Sequence, residues 1–180
     1  MRRTERYRAK GHANSLWHIY KTVPFWKVTK NFIFIQISRY TPFMPMKNFI
    51  FRTFLKMKVG KQTSFALMAM PDVMFPERIT VGNHSIIGYN TTILAHEYLI
   101  DEYRIGDVVI GENVLIGANT TILPGVQIGD GAIVSALTLV NRDIPAGAFA
   151  GGNPVKIIYT KEEMEQRQQQ QDLIRDHRSR

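Results

Sequence analysis

Five histidines are the chain's main resource for acid–base chemistry: His12, His18, His84, His96 and His177. His84 falls inside a regular repeat, at a position that reads as an exposed turn. His96 differs, because it stands where that repeat breaks and a polar run departs. An imidazole titrates near neutral pH, so one held at such a place can serve as a general base; a structural histidine is the plainer alternative. The chain has no cysteine, which removes disulfides and cysteine-ligated metal from consideration.

The repeat that surrounds His96 has a period of six. Val81, Ile87 and Ile93 form one aliphatic set, and Ile110, Ile116, Ile122, Ile128, Val134 and Val140 form another. A small or β-branched residue follows nearly every one of them by four: Ser85, Thr91, Val114, Thr120, Val126, Ala132, Thr138 and Ile144. Neither a helix nor an ordinary strand repeats in this way. A short strand, a turn and a new strand at an angle do, and three such units close one triangular coil. The expected fold is an all-β solenoid, a parallel β-helix of about four coils, with both residues of each hexad pointing inward. Gly82, Asn83, Gly88, Asn90, Gly111, Asn113, Gly117, Asn119 and Gly129 are expected at the corners, where a positive φ suits them.

Two departures from the period stand out. Val59 and Val81 lie 22 apart, one coil plus four residues, with an irregular passage through Pro71 and Pro76. Ile93 and Ile110 lie 17 apart, and a hexad continued through Ile93-Leu94-Ala95-His96-Glu97-Tyr98 would bury the Glu97 carboxylate at high cost unless it were paired. The chain is therefore expected to leave the coil near His96 and to project residues 97–108 as a loop. A loop held by a rigid scaffold is a common carrier of function.

The flanking segments differ in charge. Residues 1–58 hold thirteen Lys and Arg against one acid, Glu5, whereas residues 59–180 hold ten against fourteen acids. Met1 to Gly11 reads as polar and mobile. From Ala13 to Lys58, aromatics at helical spacing are punctuated by Pro24, Pro42 and Pro45, giving about three short helices. None is long enough to span a bilayer. They suit a cap on the open end of the coil. Because Lys21, Lys27, Lys30, Arg39, Lys47, Arg52 and Lys56 interleave with Trp, Phe and Ile, they also suit peripheral contact with an anionic membrane. Thr160-Lys161-Glu162-Glu163 is a capping box that opens a solvated final helix, and His177 to Arg180 reads as a disordered tail. The expected divisions are 1–58, a coil domain 59–159, and a helix and tail 160–180. With no signal-peptide pattern, the expected location is cytoplasmic, with possible contact at the inner membrane face.

Specific residues go further. Asn90, the Ile93-Leu94-Ala95-His96 step, the loop ending in Arg104, the run Val109 to Gly117, Ile122-Leu123-Pro124-Gly125-Val126 and Gly151-Gly152-Asn153-Pro154-Val155-Lys156 resemble the bacterial hexapeptide-repeat acyltransferases. The similarity is to the branch of maltose, galactoside and nodulation-type O-acetyltransferases, and the whole chain is similar to acetyltransferases of Bacillus-like bacteria. The resemblance implies a left-handed coil, against the usual crossover rule, and a homotrimer with three active sites between neighbouring subunits. It implies acetyl-CoA as co-substrate, no metal and no acyl-enzyme, with His96 taking the proton of an acceptor hydroxyl. The acceptor would be a sugar or cell-envelope glycan precursor. Asn90 and Arg104 would bind it. Ala118 and Ala136 would let the pantetheine arm approach, and Asn141, Arg142 and Lys156 would lie near the nucleotide end, where Arg142 and Lys156 suit phosphates.

Two positions depart from that family. Leu115 stands where many sugar acetyltransferases have Trp, and Ser135-Ala136-Leu137 replaces a usual Gly-Ala-Gly, so that Leu137 would narrow the pantetheine channel. A γ-type carbonic anhydrase would need three converging histidines, and only His84 and His96 lie in the solenoid. A sugar nucleotidyltransferase fusion would need a phosphate-binding α/β domain that is missing. No nucleic-acid motif accompanies the basic residues, so nucleic acid is not an expected partner. A non-catalytic scaffold or binding module remains as an alternative, although a pure scaffold has no need to break its repeat at His96.

Overall fold

The computed structural model describes residues 2–8 and 13–178; Met1, residues 9–12, with His12 among them, and residues 179–180 of the expected tail lie outside the described residues. Short strands stack in parallel on three faces. The first face holds Lys58–Val59, Ile79–Val81, Val108–Ile110 and Gln127–Ile128. The second holds Ser64–Phe65, Ile86–Ile87, Leu115–Ile116, Ile133–Val134 and Phe149–Gly151, with Lys156–Tyr159 added antiparallel. The third holds Met70–Pro71, Thr92–Ile93, Thr121–Ile122 and Leu139–Val140.

Register converts the hexad pattern into columns. Val59, Val81, Ile110 and Ile128 are stacked in one, and Pro71, Ile93, Ile122 and Val140 in another. Every aliphatic anchor from Val81 to Val140 is at most 2% exposed, and so is every small residue that follows. Burial of one such aliphatic side chain contributes about 1.5–3 kcal/mol. The inward hydroxyls are satisfied rather than stranded: Ser85 donates to the Gly111 carbonyl at 2.8 Å and Thr138 to that of Ser135 at 2.8 Å.

The corner glycines do a different job from the one expected. Positive φ falls on His84, Asn113 and Gly131 at the first corner and on Asn90, Asn119 and Leu137 at the second. Gly82, Gly88, Gly111, Gly117 and Gly129 are absent from that set. Instead, a Cβ on any of them would lie within 2.6 Å of an atom in the neighbouring coil. Successive coils stack at strand spacing, about 4.8 Å, and only hydrogen fits between their backbones there.

Helices Phe25–Tyr40 and Met44–Thr53 close the first coil, packing Ile35, Ile50, Phe51 and Leu55 with Phe65. An open coil presents unpaired carbonyls, and helix side chains meet them. Lys47 Nζ donates to Phe65 and Ala66, each at 2.9 Å, Asn48 to Thr63 at 2.8 Å, and Arg52 to Val59 and Gly60 at 2.8 and 2.5 Å. Lys27 pairs with Glu77 at 2.6 Å and Lys30 with the Phe54 carbonyl at 2.7 Å. Four of the bases expected to face a membrane are thus tied to protein groups. Lys47 is buried, which lowers its pKa.

At the other end, Thr160 and Glu163 form the expected reciprocal cap, with Glu163 Oε2 accepting from Thr160 N at 2.7 Å. The helix they open runs Lys161–Arg178, so His177 is helical in backbone and not part of an irregular tail.

Candidate active site

Both departures from the six-residue period meet at the third corner, one coil above the other. Pro71 pairs in register with Ile93, which places the excess residues after Pro71 beside the segment that leaves the coil after Ala95. Asp72 follows Pro71 directly, and its side chain is fully buried. Its Oδ1 accepts from the amides of Met74 at 2.8 Å and Phe75 at 2.9 Å, which folds the chain into the short helical turn Pro76–Arg78. Its Oδ2 accepts from the amides of Ala95 at 2.7 Å and His96 at 3.1 Å and lies 2.6 Å from His96 Nδ1. One carboxylate therefore closes both irregular segments and orients the imidazole.

The electrostatics follow from that geometry. Burial pushes the Asp72 carboxyl up, but the hydrogen bond and charge of His96 and the amides of Phe75 and Ala95 outweigh it and leave its pKa below the ordinary carboxylate value. An ionised Asp72 accepts Nδ1–H, which leaves the Nε2 lone pair free to take a proton and steadies the imidazolium that results. The His96 ring is held edge-on by Phe75, at 6.0 Å between centroids, and by Tyr98, at 5.4 Å. Its side chain is 14% exposed. Burial raises the Tyr98 phenol.

The expected loop is a hairpin. His96–Tyr98 pairs antiparallel with Glu102–Ile105, and Glu5–Arg8 adds a third strand beyond it. The reading of Met1 to Gly11 as mobile is thereby corrected for residues 5–8. Backbone pairing is reinforced by side chains that a charge count does not reveal. Tyr7 stacks on Tyr103 at 4.9 Å, Arg2 pairs with Glu97 at 2.9 Å, and Arg78 bridges Glu5 and Asp107 at 3.2 Å each. Arg3 donates its amide to the Gly125 carbonyl at 3.0 Å and its guanidinium to Asp143 at 2.9 Å. Glu97, expected to be costly if it turned inward, is thus outside the coil and paired.

The other expected site residues divide between two edges of the prism. Asn90 lies at the second corner, exposed, its Nδ2 donating to Asn119 Oδ1 at 2.9 Å. Ala118 and Ala136 lie at the same corner on successive coils, and Lys156, exposed, pairs with Gly151 at the end of the second face. Asn141 and exposed Arg142 follow the last strand of the third face, on the edge that carries His96. Arg104 lies on the hairpin opposite Glu97, and its Nε donates to Glu102 at 2.7 Å. One chain therefore brings His96 together with Asp72, with Asn141 and Arg142 farther along the same edge, and does not bring it to Ala118, Ala136 or Lys156. Leu137 is 73% exposed at a positive φ, and Leu115 is 41% exposed. Among the described residues no three His, Asp or Glu side chains converge as a metal site.

Asp72 was not among the residues singled out from sequence. Its signal was present but divided, as four surplus residues in one coil and eleven in the next. Register partners such as Val81 and Ile110 lie 29 apart, and the spacing of 17 from Ile93 to Ile110 hid the excess. Counting both from the same corner would have placed Asp72 beside His96.

A three-faced coil of stacked short strands is an arrangement known proteins share. Residues 107–142 match the family model of bacterial transferase hexapeptide (six repeats). The chain is 74% identical over 167 residues to a Bacillus subtilis protein named "Putative acetyltransferase YvoF", covering 93% of this chain and 96% of that one. Among solved structures, it is similar to a hexapeptide-repeat acetyltransferase of Vibrio cholerae complexed with acetyl-CoA. That match has a TM-score of 0.64 at 20% identity and covers 75% of this chain and 87% of that one. It is also similar to a galactoside acetyltransferase in complex with coenzyme A, with a TM-score of 0.57 at 18% identity, covering 76% and 81%. These two likenesses concern the fold, and they give the coil its left hand. The chain belongs to the hexapeptide-repeat acetyltransferases.

Proposed function

We propose that the chain transfers an acetyl group from acetyl-CoA to a hydroxyl of a sugar or cell-envelope glycan precursor, with His96 as general base. The observation that carries the reading is the 2.6 Å contact between His96 Nδ1 and the buried Asp72 carboxylate. Nε2 removes the hydroxyl proton as the oxygen attacks the thioester carbonyl. The tetrahedral intermediate collapses, expelling the thiolate of coenzyme A, and the imidazolium returns the proton to it, leaving the acetyl ester and free coenzyme A. Positioning plus base catalysis is enough for this step, and no acyl-enzyme forms.

Acetyl-CoA as donor is supported by the acetyl-CoA and coenzyme A complexes of the similar structures, and a sugar acceptor by the galactoside acetyltransferase among them. In this reading Asn90 and Arg104 bind the acceptor, Ala118 and Ala136 flank the pantetheine arm, and Asn141, Arg142 and Lys156 meet the nucleotide end. Their division between two edges supports a homotrimer, in which the second edge of one subunit faces the third edge of its neighbour. Residues 1–58, 59–159 and 160–180 would act as cap, catalytic coil and terminal helix. The same reading places the protein in the cytoplasm.

The test is release of free thiol from acetyl-CoA by wild type and His96→Ala against a panel of sugars and glycan precursors. Acceptor-dependent release that falls by about 10² or more in the variant supports the assignment. Release unaffected by the substitution rejects it, and failure to bind coenzyme A in calorimetry would favour a non-catalytic β-helix.

A further inference from the structure

The helices that close the first coil carry a second face. On helix Phe25–Tyr40, Phe25, Trp26, Phe32, Ile33, Ile37 and Tyr40 form a stripe at helical spacing, and each is at least 46% exposed. The opposite face, with Asn31, Ile35 and Ser38, is buried on the coil. The stripe extends onto the preceding helical turns, where Trp17 is 78% exposed and Tyr20 meets Phe25 edge-on at 5.4 Å. Soluble surfaces rarely expose so continuous an apolar area without a partner.

The hairpin that begins at His96 joins this surface. Its tip carries Leu99 and the 73% exposed Ile100, and it is tied to the first helical turn by Ser15, whose amide donates to the Ile100 carbonyl at 3.0 Å and whose hydroxyl donates to that of Leu99 at 2.5 Å. On the long helix, Lys27 lies 5.0 Å over the Phe75 ring, which abuts His96. Residues 13–58 contain eight Lys and Arg and no Asp or Glu. Lys21 and Lys56 are exposed, and neither pairs with an acidic residue among the described residues. No described helix is long and apolar enough to cross a membrane.

We propose that this face, together with the hairpin tip, lies in the headgroup region of an anionic bilayer, so that His96 takes its acceptor hydroxyl from a lipid-linked glycan at that surface. Trp and Tyr favour that boundary, and the helical segment 13–58, with eight bases and no acid, favours anionic lipid and outweighs Asp101 and Glu102 at the hairpin tip. A second copy of the chain would oppose like charges across the same face. The acceptor clause rests on the acetyltransferase reading; the lipid contact does not, and it is tested without an acyl donor.

Trp17 and Trp26 are the chain's two tryptophans, so tryptophan emission, excited selectively over tyrosine, reports on this face alone. With vesicles of phosphatidylglycerol and phosphatidylcholine, the expected results are co-sedimentation, a blue shift of emission and quenching by brominated lipid. Vesicles of phosphatidylcholine alone should bind at least about tenfold more weakly, as should Trp17→Ser/Trp26→Ser on the mixed vesicles. Absence of binding, or binding without a tryptophan response, overturns the proposal. So does a change of oligomeric state in the double variant by light scattering, which would assign the face to subunit contact. Quenching in the wild type needs no variant to fold.

Discussion

The coils from Val108 to Ile144 and the corner built from residues 72–78 and 95–107 use the same backbone ladder for opposite ends. In the regular coils every inward side chain is aliphatic, small or a satisfied hydroxyl, and every register position repeats. At the broken corner a fully buried carboxylate holds four backbone amides and an imidazole. The repeat supplies rigidity, and its interruption supplies the directional groups that rigidity then fixes. A pattern break is therefore informative in proportion to the order around it.

The comparison breaks most severely by insertion. One extra residue between Leu115 and Ile116, inside a strand paired on both sides and not at a corner that can absorb it, takes inward Ile116 out of register with Ile87 and Val134; cooperative unfolding in urea should be lost. The same insertion between Ile100 and Asp101, at the hairpin tip, should leave stability within about 0.5 kcal/mol. Gly117→Ala comes next. Its Cβ would lie 2.3 Å from the Ala136 amide nitrogen, and an overpacked contact costs about 1–3 kcal/mol in denaturant titration.

Asp72→Asn tests the corner itself. Because the folded carboxyl lies below its ordinary value of 3.8, its contribution is present above that value and is lost as pH falls through the depressed one. The wild type should exceed the variant by about 1–3 kcal/mol at neutral pH, and the gap should close in acid unfolding titrations. The smallest effect belongs to Gly131→Ala, where the Cβ meets nothing nearer than 3.9 Å but φ is +68°. Left-handed strain alone costs about 1–2 kcal/mol, at or below the Gly117 value by the same titration.

The hexad core was legible because period is a strong signal, and each inward residue it named is buried. The glycines were visible, but their reason was misassigned, since close approach between coils depends on stacking that one hexad does not display. The N-terminal strand was missed because Glu5-Arg6-Tyr7-Arg8 has too little apolar alternation to read as a strand. It gains its place from the edge that Glu102–Ile105 offers. Asp72 was missed because its partner lies 24 residues away, beyond any local pattern. The bases of the cap read as surface charge because sequence does not show which carbonyls an open coil leaves unpaired.

The most direct test of Asp72 as the group that positions His96 is kcat against pH for wild type and Asp72→Asn, with circular dichroism to establish that the variant is folded. Loss of about 10²-fold or more in kcat with little change in KM for acetyl-CoA, and a displaced pH profile, is the expected result. A folded variant with kcat within about twofold of wild type and the same pH profile would contradict it.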